Sequence, residues 1–112
     1  MAATPEAKVK RKLDKWISEN MPGVWVYKPA GGIFGNNGVG DYILQYNYTG
    51  IMIEVKADKT KDPSALQKKN LHDFKSAGGV SCVLRGFEPH KLEMIKRISE
   101  NRAKVLKDNE II

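Results

Sequence analysis

The sequence predicts an α/β domain: a mixed β-sheet of about four strands flanked by helices, in the order α-β-β-β-α-β-α. Three observations lead there. Helical apolar spacing occurs near both ends of the chain and once between them. Two β-rich runs, Tyr42 to Tyr48 and Ile51 to Ala57, lie close enough to form a hairpin. A helical segment then separates the third strand from a fourth, and such a crossover implies at least one parallel pair.

The first helix starts at Thr4-Pro5-Glu6, an N-cap followed by proline at the first helical position. Val9, Leu13, Trp16 and Ile17 recur at helical spacing and are expected in the core. Lys8, Lys10, Arg11, Lys12 and Lys15 take the remaining faces, and Met21-Pro22-Gly23 ends the helix. Val24 to Lys28 is a short β-rich run, and Pro29 to Gly40 a glycine-rich loop. The hairpin is expected to turn near Thr49-Gly50. An even loop puts Asp41, Glu54 and Lys56 on one face, whereas an odd loop or a bulge separates them.

After a charged loop, Asp58 to Pro63, Ser64 caps a second helix running to about Ala77. Leu66, Leu71 and Phe74 are expected to turn inward, and Gly78-Gly79 stops the helix. Val80 to Leu84 is a continuous apolar run, as expected of a buried strand, with Cys82 in the core. From about His90 to Lys107 the pattern is helical again, with Leu92, Ile95, Ile98 and Val105 in rough register. The expected organisation is one domain over residues 1–112, with a core from about 5 to 85 and the C-terminal helix from about 90 to 107.

A chain of 112 residues with 41% hydrophobic and 29% charged residues suits one packed, soluble globule. No apolar run approaches the roughly 20 residues needed to cross a bilayer. The N-terminus leads directly into charged residues, without an apolar signal region. Cys82 is alone, so it can form no internal disulfide, and a reducing cytoplasm is the expected location. One cysteine and two separated histidines argue against structural zinc. The glycine-rich loop lacks the Lys-Ser/Thr ending of a P-loop, so no nucleotide cofactor is expected. A net charge of +6 and a pI near 9.5 favour an anionic partner over a membrane surface.

The chemistry concentrates in Gly40-Asp41 and Glu54-Val55-Lys56. Strand side chains alternate, so Glu54 and Lys56 share a face, roughly 7 Å apart along the strand. Ile51, Ile53 and Val55 then face the core. Two carboxylates can hold a hard divalent cation, and a neighbouring ammonium can hold an anion or an attacking water. On the residues alone, other readings stay open. Asp41 also suits an ordinary turn, Glu54 with Lys56 a solvated strand face, and Glu6 the positive end of a helix dipole.

Together with Glu6, Trp25-Val26-Tyr27-Lys28 and Ser64-Ala65-Leu66-Gln67, these residues resemble the PD-(D/E)xK nuclease superfamily. The similarity is greatest to the compact VRR-NUC group found alone in phages and bacteria, and it covers residues 6 to 85. Gly40 stands where proline would precede the Asp, as is usual for this subgroup. The resemblance implies a restriction-endonuclease-like core and a divalent-metal-dependent DNA endonuclease acting on structured DNA such as Holliday junctions. It also implies a homodimer, in a bacterial or phage-infected cell. Asp41, Glu54 and the Val55 carbonyl would ligate Mg²⁺ or Mn²⁺. Lys56 would orient or help deprotonate the attacking water, and Glu6 and Gln67 would complete the site. Candidate nucleic-acid contacts are the basic first helix, Lys28, Lys59, Lys61, Lys68 and Lys69, with Tyr27 suited to stacking or to a half-buried strand position. The alternative function is a non-catalytic basic nucleic-acid-binding module, which explains the charge but not the grouping of Asp41, Glu54 and Lys56.

Overall fold

The computed structural model describes residues 3–29 and 38–106. Helix α1 spans Pro5–Asn20, and Thr4 caps it by accepting the Ala7 N–H at 3.1 Å. Strands β1 (Trp25–Tyr27), β2 (Tyr42–Tyr46) and β3 (Thr49–Lys56) follow. Helix α2 (Ala65–Ser76), strand β4 (Val80–Arg85) and helix α3 (Pro89–Leu106) complete the order α-β-β-β-α-β-α. The sheet runs β1-β2-β3-β4; the first two pairings are antiparallel and β3-β4 is parallel. This is the mixed sheet required by a helical crossover between β3 and β4. Much of the glycine-rich loop, residues 30–37, and Lys107 lie outside the described residues.

Register assigns the layers. Tyr42 pairs with Ile53 and Leu44 with Ile51, so these four side chains share one face. There they join Val9, Leu13 and Ile17 of α1, and Leu92 and Ile95 of α3, in a single buried cluster. Trp16 and Cys82 pack at its margin, partly buried. Each fully buried aliphatic side chain contributes about 1.5–3 kcal/mol, so this cluster is what fixes α1 to the sheet. The Tyr42 hydroxyl fastens the same contact from within, donating to Asp14 Oδ1 at 2.6 Å. Helix α2 covers the other face, where Ser81 Oγ donates to the Leu71 carbonyl at 2.6 Å.

Four sequence expectations need correction. The hairpin turns at Asn47-Tyr48, not at Thr49-Gly50. Both residues have positive φ, +48° and +64°, as a two-residue type I′ turn requires, and Tyr46 pairs directly with Thr49. Leu66 is 46% exposed, because Gln67, Leu71 and Phe74 form the inward row of α2. β4 lies at the end of the sheet, so only Leu84 is fully buried along it. Val105 is 74% exposed, since thirteen residues beyond Leu92 a helical side chain points roughly 140° away from it.

Candidate metal centre

Asp41 immediately precedes β2. The Tyr42–Ile53 pairing extrapolates to Asp41 opposite Glu54, and the two-residue turn keeps both on the face covered by α2. Val55 lies just beyond the β2-β3 pairing, and its N–H donates to Asp41 Oδ2 at 2.7 Å. In an extended strand the N–H and C=O of one residue leave by the same edge, so the Val55 carbonyl also faces the Asp41 side. Gly40 makes this approach possible. A Cβ there would stand 2.7 Å from Met52 Cγ and 3.0 Å from the Ile53 carbonyl oxygen.

Glu54 is only 2% exposed. Its Oε1 accepts from Gln67 Nε2 at 3.0 Å and lies 3.3 Å from Lys56 Nζ. Its Oε2 is buried with no hydrogen-bond partner. Leaving such an atom dry and unpaired is costly, and a cation is one ligand that relieves it. Burial, reinforced by the Asp41 carboxylate, pushes the Glu54 pKa up to about 7 against the opposing pull of Lys56.

Gln67 links the site to the scaffold. It is the third residue of α2 and closes a capping box: Ser64 Oγ accepts its backbone N–H at 3.1 Å, and its Oε1 accepts the Ser64 N–H at 2.8 Å. The same Oε1 accepts from Lys56 Nζ at 3.1 Å, while its Nε2 serves Glu54. One amide therefore orients both the acid and the ammonium of β3.

Glu6 enters from the first turn of α1. One carboxylate oxygen from each of Glu6, Asp41 and Glu54 lies within 4.8 Å of the others. Oxygens bound to one Mg²⁺ at about 2.1 Å stand roughly 3 to 4.2 Å apart, so a slight closure of these side chains forms a ligand set. Three hard oxygen donors, one with an unpartnered buried atom, suit a hard divalent cation rather than a thiophilic metal.

Lys10 is the site residue that sequence reasoning left among the general basic face of α1. Its Nζ lies 3.1 Å from Asp41 Oδ1. Partial burial works against its charged form, but the hydrogen bond and charge of Asp41, with Glu6 and Glu54, outweigh it and raise the Lys10 pKa. The signal was available in the spacing: Glu6 and Lys10 are four apart and share a helix face.

The structure thus brings together Glu6, Asp41, Glu54, Lys56 and Gln67. Lys28 is elsewhere. Its Nζ is 2.9 Å from Asp14 Oδ1 and 5.2 Å from the Tyr42 ring centroid, on the α1 side of the sheet. Tyr27 is 51% exposed, and its pairing with Ile43 puts it on the carboxylate face. Lys59 and Lys61 are exposed in the loop before α2, and Lys68 is exposed beside Gln67. Lys69 pairs with Asp73 at 2.9 Å.

No family model and no curated protein matches this chain. Among solved structures, a "VRR_NUC domain" superposes with a TM-score of 0.64 and 21% sequence identity, covering 88% of this chain and 97% of that one. With its four-stranded mixed sheet between α1, α3 and α2, the chain has the VRR_NUC-type fold.

Proposed function

We propose that the protein is a divalent-metal-dependent DNA endonuclease that hydrolyses phosphodiester bonds by direct attack of water. The observation carrying this reading is the convergence of Glu6, Asp41 and Glu54 oxygens within 4.8 Å, with Glu54 Oε2 buried and unpartnered. A non-catalytic binding module gives no reason for these three acidic side chains to converge. Asp41, Glu54 and Glu6 would hold Mg²⁺ or Mn²⁺, with the Val55 carbonyl as a further oxygen donor. When bound, the ion supplies Lewis-acid polarisation of the scissile phosphate and of water. Lys56 presents its ammonium beside the carboxylates, held by Gln67 Oε1 and Glu54 Oε1. There it orients the attacking water and offsets charge gathering on the phosphoryl oxygens. Gln67 keeps that ammonium in place without adding negative charge to a site that must admit a phosphate.

The preference for branched substrates such as Holliday junctions, and the homodimer, belong to the same proposal. One domain of this size covers little of a junction, and two-fold symmetry supplies paired cuts. An apolar groove of about 350 Å³ between β4 and α3, lined by Val80, Cys82, Ile95, Ile98 and the exposed Met94, supports placing the dimer contact on that side. The test is incubation of four-way junction, flap and duplex DNA with Mg²⁺ or Mn²⁺, with Asp41→Ala as control. Metal-dependent cutting of the branched forms by wild type alone is expected. Failure of the folded wild-type protein to cut any of them refutes the proposal.

A further inference from the structure

Trp25 and Tyr27 stand out from β1 with 59% and 51% of their surface exposed. Their rings lie 6.2 Å apart at an interplanar angle of 28°. They share one side of the strand, and the Tyr27–Ile43 pairing makes it the side that carries Asp41 and Glu54. Tyr27 is one strand across and two residues along from Asp41, which puts their Cα atoms roughly 8 Å apart. A strand whose phosphate sat at the carboxylates would bring its neighbouring nucleotide onto these rings.

We propose that Trp25 and Tyr27 form a stacking platform for an unpaired base next to the scissile phosphate. This rests on the nuclease reading and names its substrate class: nucleic acid with unpaired nucleotides beside the cut. Bases inside a continuous duplex are already stacked on each other and cannot offer a face to a protein ring, whereas bases at gaps, flaps and junction centres can. Two large exposed rings beside a charged site are also the kind of apolar patch that marks a contact surface. A second copy of the chain is the less suitable occupant. β1 has three residues, too short for productive edge pairing, and a net charge of +6 attracts a polyanion.

The experiment measures binding of metal-free protein to a duplex with a single-nucleotide gap and to the continuous duplex of the same sequence. Affinity is read by anisotropy, and tryptophan emission is followed alongside, the variant, which keeps Trp16, giving the background from which the Trp25 signal is taken. The variant is Trp25→Ala/Tyr27→Ala, whose exposed positions put little of the core at risk; its melting temperature is recorded as a check. Gapped DNA is expected to quench Trp25, and the variant to bind it roughly 10- to 100-fold more weakly. Continuous duplex should lose less than about threefold. Equal losses on both DNAs, or none on either, overturn the platform. So does sedimentation showing that the substitutions convert a dimer to a monomer without selective loss on gapped DNA. The same samples with Mn²⁺ separate the two readings. Cutting without discrimination between the DNAs removes the platform alone, and discrimination without cutting removes the hydrolytic reading alone.

Discussion

Neutralising Glu54 should stabilise the metal-free protein. The Glu54 pKa rises from 4.5 to about 7 because its carboxylate is buried beside Asp41. At about 1.4 kcal/mol per pKa unit, ionised Glu54 costs the fold on the order of 3 kcal/mol above pH 7. The native state binds this proton more tightly than the unfolded chain, so the stability is fully present below pH 4.5. It is lost as pH rises through 7. Glu54→Gln removes the charge, keeps the shape and still lets Gln67 Nε2 donate to the side-chain oxygen, at the expense of the 3.3 Å ion pair with Lys56. The net expectation is a gain of roughly 1–3 kcal/mol at pH 8, equal to about 5–15 °C in melting temperature for a domain of this size. At pH 4.5, where much of the wild-type Glu54 is protonated, the gap should narrow. The assay is calorimetric melting in chelator at both pH values, repeated with Mn²⁺, which should raise the wild-type midpoint and leave the variant unchanged. Parallel pH profiles, or a variant less stable than wild type at pH 8, would refute the assignment of Glu54 as the strained acid.

Lys10→Met should tighten Mn²⁺ binding several-fold in a calorimetric titration, because the ammonium 3.1 Å from Asp41 Oδ1 competes for that oxygen; unchanged or weaker affinity contradicts this. Gln67→Ala should lose about 1–2 kcal/mol in urea unfolding, since it opens the capping box and releases Lys56 and Glu54, and cleavage should fall with it. Equal unfolding midpoints would mean that α2 starts without the box. Gly40→Ala should destabilise by about 1–3 kcal/mol and reduce Mn²⁺ affinity, as the new methyl group meets Met52 Cγ and the Ile53 carbonyl. A variant that melts and binds metal like wild type would show that β2 can shift away freely.

Much of the fold was legible because local signals agreed with the tertiary outcome. Thr4-Pro5 and Ser64 marked helix starts through capping chemistry that needs no long-range information. The crossover to a parallel β4 followed from a helix lying between strands. The turn was misplaced because Thr49-Gly50 looks like a turn pair, while Asn47-Tyr48 puts a tyrosine in the left-handed region, which that residue rarely visits. Leu66 and Val105 failed because apolar identity was trusted over helical angle. At the site, Asp41, Glu54 and Lys56 could be grouped from strand alternation once the loop was even. Lys10 escaped because its shared helix face with Glu6 becomes part of the site only where the start of α1 meets Asp41, a tertiary contact.

The Gln67 side chain both begins α2 and holds the acid and ammonium of β3. Folding of that helix and arming of the centre are therefore a single event. A nascent or partly melted chain, with α2 unwound, would leave Glu54 and Lys56 without the amide that orients both, while Asp41 keeps the Val55 N–H and Lys10. On the proposed nuclease reading, a chain whose α2 has not formed would cut poorly, because Lys56 would lack its amide anchor.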